Sequence, residues 1–187
     1  MIRAVVFDFF DVIRDDGSTR WRKKYGIPLE GDFLRATQRH DRGETTDKEF
    51  FSEIGKFAGQ NGETVEYELE HGNELNRELI DYISGLGKRY KIALLSNANS
   101  NYIRAEIAKF QIEKYFDEIV ISSEVGYIKP EKEIFALVAK RLGVKASECV
   151  FIDDNPGHIT GAEAAGIKGI LFESNHQLKR DLDKLLQ

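Results

Sequence analysis

Five short runs of apolar, largely β-branched residues recur along the chain, at residues 3–9, 91–95, 118–121, 149–152 and 168–172. Each is continuous rather than alternating, as in Ala4-Val5-Val6-Phe7 and Ile92-Ala93-Leu94-Leu95. Runs of this kind predict strands covered on both faces of a parallel sheet. Between the later runs, helical patterns span residues 101–110, 130–142 and 156–165. Pro130 and Pro156 stand where a first helical residue is expected, and Gly143 and Gly166 where a helix stops. A last helix is predicted over residues 175–186, with Ser174 as N-cap. Strand and helix in close succession predict an α/β fold with a doubly wound, Rossmann-like parallel sheet. In such a sheet ligands bind outside the carboxyl ends of the strands.

Residues 15–82 break this alternation. They hold no convincing strand and several amphipathic stretches, one of them opened by the capping box Thr46-Asp47-Lys48-Glu49 and continued by Phe50, Phe51, Ile54 and Phe57. Residues 74–90 read as a helix leading into the second strand. The expected organisation is a core of residues 1–14 and 83–187, with a small α-helical cap, residues 15–82, inserted after the first strand.

Composition narrows the picture. A chain of 187 residues with 41% apolar content suits one domain with a small insertion. A formal net charge of −5 disfavours nucleic acid and anionic membranes as partners. No stretch approaches the ~18 apolar residues of a spanning helix, so a soluble, cytoplasmic protein is expected, as a monomer or homodimer. The one cysteine, Cys149, lies in the apolar run Cys149-Val150-Phe151-Ile152 and is expected to be a buried, inert thiol.

Candidate chemistry gathers at the ends of the predicted strands. The first ends in Asp8, the second in Ser96-Asn97 and the fourth in Asp153-Asp154-Asn155, while Lys129 follows the third. Taken singly, each has an ordinary explanation: Asp8 as a turn residue, Ser96-Asn97 as a helix cap, Lys129 as a solvated side chain. Adjacent carboxylates after a buried strand are more telling, because they repel unless a cation or donors compensate. As an ordered set at one sheet edge they suit phosphoryl transfer. A carboxylate can attack phosphorus. Oxygen ligands can hold Mg²⁺ to offset the charge of an anionic substrate. Serine and lysine can stabilise the transferred group.

The set resembles the four motifs of the haloacid dehalogenase-like superfamily. Val5-Val6-Phe7-Asp8 is similar to the first, Leu94-Leu95-Ser96-Asn97 to the second, Lys129-Pro130 to the third and Phe151-Ile152-Asp153-Asp154-Asn155 to the fourth. Gly126-Tyr127-Ile128-Lys129-Pro130 fits a subgroup placed among sugar-phosphate phosphatases. The resemblance implies Asp8 as nucleophile and metal ligand, and Lys129 as the catalytic residue that orients nucleophile and phosphate. It implies Ser96 and Asn97 as phosphate-binding residues. Asp154, Asp153 and the Phe10 backbone carbonyl complete the implied Mg²⁺ site. The substrate implied is a small phosphorylated metabolite.

One departure bears on mechanism. Phosphatases of this family usually carry a second Asp two residues after the nucleophile as general acid, and here that residue is Phe10. Three functions are therefore weighed: a phosphatase without its customary acid, a 2-haloacid dehalogenase, whose leaving halide needs no proton, and a protein that binds a ligand or partner without turnover. Asp11, in place of a usual glycine, is expected to point away from the site. His158 stands where a further metal ligand often sits. In the cap, Arg20, His40 and Arg42 are candidates to face substrate, each with surface charge as the simpler explanation, and Trp21 is expected to pack within the cap.

Overall fold

The computed structural model of the chain describes residues 1–186. After β1 (Ala4–Phe7) come five helices, α1 (Gly17–Tyr25), α2 (Gly31–Asp41), α3 (Asp47–Ala58), α4 (Gly62–Glu70) and α5 (Arg77–Leu86). The chain continues through β2 (Lys91–Ser96), α6 (Ser100–Phe110), β3 (Glu118–Ile121), α7 (Ser122–Val125) and α8 (Lys132–Leu142). It ends with β4 (Cys149–Asp153), α9 (Pro156–Ala164), β5 (Lys168–Leu171) and α10 (Asn175–Leu186). The sheet has the order β3-β2-β1-β4-β5, and every pairing is parallel. The doubly wound α/β fold read from the apolar runs is the fold observed. Strand order reverses between β1 and β4, and at such a switch point the loops separate and leave a crevice.

Side chains alternate across each strand, so the sheet feeds two apolar layers. Val5, Phe7, Ile92, Leu94, Val150 and Ile152 face a core completed by α5, α6 and α10. Ala4, Val6, Ala93, Leu95 and Phe151 face Phe135 and Val138 of α8 and Ala162 of α9. A third apolar cluster belongs to α1–α4: Trp21, Phe33, Phe50, Phe51, Ile54, Val65 and Leu69 pack on one another. Trp21 is a packing residue there, its Nε1 donating to Gln60 Oε1 at 3.0 Å.

Four local expectations change. Helix α8 starts at Lys132, with Glu131 as N-cap, because Pro130 lies in a turn pressed against α9. A Cβ at Gly161 would come within 2.6 Å of Pro130, so glycine is what lets α9 approach. Helix α5 is shorter than residues 74–90: Asn76 caps its start by accepting from Leu79 N at 3.2 Å, and Gly87 ends it. Its Leu79 and Ile80, within the segment assigned to the cap, pack in the main core. Helix α7 has no counterpart in the sequence pattern, and Gly126 stops it in the left-handed region at φ 77°. The capping box at Thr46 forms, and Ser174 Oγ accepts from Gln177 N at the start of α10. Cys149 is buried, and burial pushes its thiol pKa up to about 11.

Candidate active site

Strand register decides what meets at the carboxyl edge. Phe7 lies level with Leu94 of β2 and with Ile152 of β4. Asp8 and Asp153 therefore leave neighbouring strands side by side at the switch point, and Asp8 N donates to Ile152 O at 2.9 Å. The Lys129 ammonium stands between them, with Nζ 2.7 Å from Asp8 Oδ1 and 2.7 Å from Asp153 Oδ2. The three side chains are almost wholly buried. Asn97 clamps the lysine backbone: its Oδ1 accepts from Lys129 N at 2.8 Å and its Nδ2 donates to Lys129 O at 3.0 Å. Asn97, expected to bind phosphate, borders the cavity and also positions Lys129.

Two buried carboxylates share one buried ammonium, and they are not served equally. Asp153 also accepts from Asn155 N at 2.8 Å and from His158 Nδ1 at 3.0–3.1 Å. Burial pushes Asp153 up, but Lys129 and His158 outweigh it and hold the carboxyl well below the usual range. Asp8 goes the other way. Burial and the charge of Asp153 raise it well above 3.8, against the opposing pull of Lys129 and of Phe9 N, which donates to Oδ1 at 2.7 Å. Burial acts to lower the pKa of Lys129, but Asp153 and Asp8 outweigh it and raise the value, so the lysine stays charged. Burial, aided by Lys129, lowers His158, against the pull of the Asp153 carboxylate 3.0 Å from its Nδ1. Desolvation and the nearby charges of Asp153 and Asp11 push Asp154 up to about 6.

The donors open to a cation differ from the tightest cluster. Among the described residues, Asp8, Asp153 and His158 bring ligand atoms within 4.8 Å of one another. Asp153 and His158, however, are engaged with each other and with Lys129. Asp8 Oδ2 and the Phe10 carbonyl receive no hydrogen bond among the described residues, the Asp154 carboxylate meets only its own backbone N–H, and all three belong to residues bordering the cavity. These are hard oxygen donors of the kind Mg²⁺ takes, so the residues present fit the ion. Ser96 is fully buried, and its Oγ has no hydrogen-bond partner among the described residues.

A cavity of about 550 Å³ lies between this edge and α1–α4. Its lining includes the carboxylates Asp8, Asp11, Asp16, Asp41, Asp47, Glu70 and Asp154 against two permanent cations, Arg22 and Lys129. An anionic ligand entering such a space needs a further positive charge. The Phe10 ring forms part of the apolar wall, stacked on Tyr102 with centroids 6.3 Å apart.

The remaining candidates divide. His40 borders the cavity, stacked on Phe50 and bonded to Asp47 at 2.9 Å. Arg42 does not border it; its guanidinium pairs with Glu131 and donates to Gly126 O at 3.2 Å. Arg20 ties α1 to the end of α4 through Gly72 O at 3.2 Å and Asn73 Oδ1 at 3.0 Å. Asp11, expected to point away, borders the cavity in a left-handed conformation (φ 54°), its carboxylate accepting from Asp16 N. Asp16 and Asp41 border the cavity too; the sequence puts Asp16 near the nucleophile at the mouth of the cap, while Asp41 carries no mark and reads as the polar end of an amphipathic helix.

The family model described as haloacid dehalogenase-like hydrolase matches residues 2–166. D-ribitol-5-phosphate phosphatase of Bacteroides thetaiotaomicron is 30% identical over all of this chain and 99% of its own length. The solved structure of a predicted HAD-like family hydrolase from Porphyromonas gingivalis superposes with a TM-score of 0.78 at 26% identity, covering 100% of this chain and 98% of that one. A Bacteroides thetaiotaomicron HAD-family enzyme, crystallised with magnesium and inorganic phosphate, shares the fold at a TM-score of 0.72 and 22% identity, over 94% of this chain and 96% of its own. The chain belongs to the haloacid dehalogenase-like hydrolase family.

Proposed function

We propose that this hydrolase is a Mg²⁺-dependent phosphatase, acting on a small phosphorylated metabolite through an aspartyl-phosphate at Asp8, with helices α1–α4 capping the site. The observation that carries the reading is the buried Asp8–Lys129–Asp153 cluster at the switch point, beside a cavity whose carboxylates outnumber its cations. Lys129 and Phe9 N fix the Asp8 carboxylate through Oδ1, which holds it in one orientation for attack on phosphorus. The unpartnered Ser96 hydroxyl suits a phosphoryl oxygen, because a buried hydroxyl left unpaired costs about 1–3 kcal/mol. Asp8, the Phe10 carbonyl and Asp154 would hold Mg²⁺, with Asp153 behind them holding Lys129. Bound there, the ion supplies positive charge to a phosphate and polarises it.

The cavity has the size of an ordinary small-molecule site. With a relative named for D-ribitol 5-phosphate, phosphorylated polyols and sugars are the substrate class proposed. Phe10 favours a second reading, dehalogenation, because a halide leaves without a proton. The acidic lining opposes it, since a 2-haloacid brings its own carboxylate. The test is purified protein with an aryl phosphate, with and without Mg²⁺, and in parallel with 2-chloropropionate. Phosphate release that EDTA stops supports the proposal. Metal-independent chloride release replaces it with the dehalogenase, and neither activity alongside Mg²⁺ binding replaces it with a binding protein.

A further inference from the structure

Phe10 leaves the leaving oxygen of an alkyl phosphate without a proton donor at the usual place. We propose that Asp41, at the end of α2, is the general acid and base of the reaction; the inference rests on the phosphatase reading of this site.

The first support is elimination among the carboxylates that border the cavity. Asp16 caps α1 by accepting from Ser18 N at 2.9 Å and Thr19 N at 3.0 Å, and Asp11 in turn holds Asp16 N at 2.8 Å. Asp47 is bonded to His40. Glu70 is also unbonded, but the charged groups acting on it are Glu66, Glu106, His71 and Lys109, with neither Lys129 nor a group of the Asp8 cluster among them. The Asp41 carboxyl borders the same cavity as Asp8 and Lys129, yet its side chain forms no hydrogen bond or ion pair among the described residues.

The second support is that its backbone is fixed to the core. Ser122 Oγ donates to Asp41 O and accepts from Ala98 N at 2.9 Å. The next residue, Arg42, pairs with Glu131 and donates to Gly126 O, gripping both ends of the loop that carries Lys129. Gly43 at φ 76° passes so close that a Cβ there would lie 3.1 Å from Ser123 O. A proton donor has to be held over the reacting atoms, and this end of α2 is held.

The third is electrostatic. Burial pushes Asp41 up to about 7, with Asp16 adding to the shift and Lys129 and Arg42 opposing it. These are the charged groups that face it from α1, the Lys129 loop and its own helix end, and the Arg42 charge is already paired with Glu131. Near neutral pH both forms of the carboxyl are present, as a group that acts first as acid and then as base requires.

In the first step an Asp8 oxygen bonds to phosphorus, the ester P–O bond breaks, and its electron pair leaves with the alcohol oxygen, which takes the Asp41 proton. In the second a water oxygen bonds to phosphorus, its proton passes to the Asp41 carboxylate, and the bond to Asp8 breaks to release inorganic phosphate.

The test compares the best alkyl substrate from a panel of polyol and sugar phosphates with 4-nitrophenyl phosphate, whose leaving group needs no acid. In Asp41→Asn, kcat/KM for the alkyl ester should fall about 10²-fold or more. The pre-steady-state burst of 4-nitrophenolate should stay within about threefold, because that step needs no proton from the protein. In the wild type, kcat/KM for the alkyl ester should fall as pH rises through about 7, the burst should not, and Asp41→Asn should abolish that limb. Equal loss on both substrates, alkyl activity kept within threefold, or a limb that survives in the variant would overturn the proposal. Should Asp41→Asn fail to fold, the wild type decides: a limb of the same size with both substrates overturns it. A wild type that hydrolyses no phosphate ester sinks the phosphatase reading and this inference with it. Retained alkyl hydrolysis in Asp41→Asn, with Asp8→Asn inactive, sinks this inference alone.

Discussion

The two walls of the cavity are built by different rules. On the sheet side the register of β1 with β4 sets Asp8 beside Asp153, and the clamp from Asn97 brings Lys129 between them. Asp8, Lys129 and Asp153 are buried and bonded to one another, and Asn97 is bonded to the Lys129 backbone. On the helical side the residues that reach the cavity depend on how α1–α4 pack around Trp21, Phe33 and Phe50. That wall is joined to the core at few places, chiefly Asp41 O on Ser122 and Arg42 on Glu131. On the proposed mechanism the sheet edge carries the nucleophile and the metal ligands, and the helices bring Asp41 and the surface that meets the rest of the substrate. The contrast predicts that the two walls respond differently to damage.

The largest effect is expected on the sheet side. Asp154→Asn removes a charged donor from the proposed Mg²⁺ site and should lower phosphatase activity about 10²-fold or more, with a raised Mg²⁺ requirement. Loss of less than threefold in a magnesium titration would mean that Asp154 is not a ligand and would blur the division between the walls.

A smaller, regional effect is expected from the helical wall. Trp21→Ala opens the third apolar cluster and should cost it about 3–5 kcal/mol. Hydrogen exchange should then show amides of α1–α4 losing protection while β1, β2 and β4 keep theirs. Equal loss in the sheet would show that the two regions unfold as one unit and would break the comparison.

The smallest effect concerns pH. Asp154 at about 6 and Asp41 at about 7 are both raised from 3.8. Groups raised in this way stabilise the fold when protonated, so that contribution is present at acid pH and is lost as pH rises through 6 to 7. Asp153, held low, acts in the opposite sense, and its stabilising pair is lost only in strong acid. In EDTA the melting temperature should therefore be higher at pH 5 than at pH 8, by a few degrees. Mg²⁺ should shrink the difference. A melting temperature that climbs steadily from pH 5 to pH 8 without metal would contradict the shifts.

The same contrast explains what the sequence made legible. The strands were readable because each is a continuous apolar run, and the polar residue that ends such a run lies at the carboxyl edge wherever the strand falls in the sheet. Asp8, Ser96, Asp153 and Asp154 were named on that ground, Lys129 as the lysine that follows the third run, and their roles were drawn from the resemblance to the family's motifs. Their division of labour was not readable, since it depends on which oxygen meets which nitrogen: Asp153 faces Lys129 and His158, and Asn97 serves the Lys129 backbone. The helical wall was less legible still. Arg42, a candidate substrate contact with surface charge as its simpler explanation, bonds to Glu131, while its neighbour Asp41 borders the cavity. One step along a helix turns a side chain by about 100°, and only the packing of α2 on α3 and α7 decides which of the two faces inward. Phe10 marked a missing proton donor in the sequence, but the candidate replacement lies 31 positions later on a different element.

The central claim is that Asp8 carries the phosphoryl group. A single turnover with an aryl phosphate and Mg²⁺, quenched in acid, reduced with borohydride and mapped by peptide mass spectrometry, tests it most directly. The account predicts that Asp8 is recovered as homoserine, the reduction product of an acyl phosphate, and that no other carboxylate is modified. Phosphate released in that turnover with Asp8 unmodified, or the modification found on Asp153 or Asp154, would contradict it.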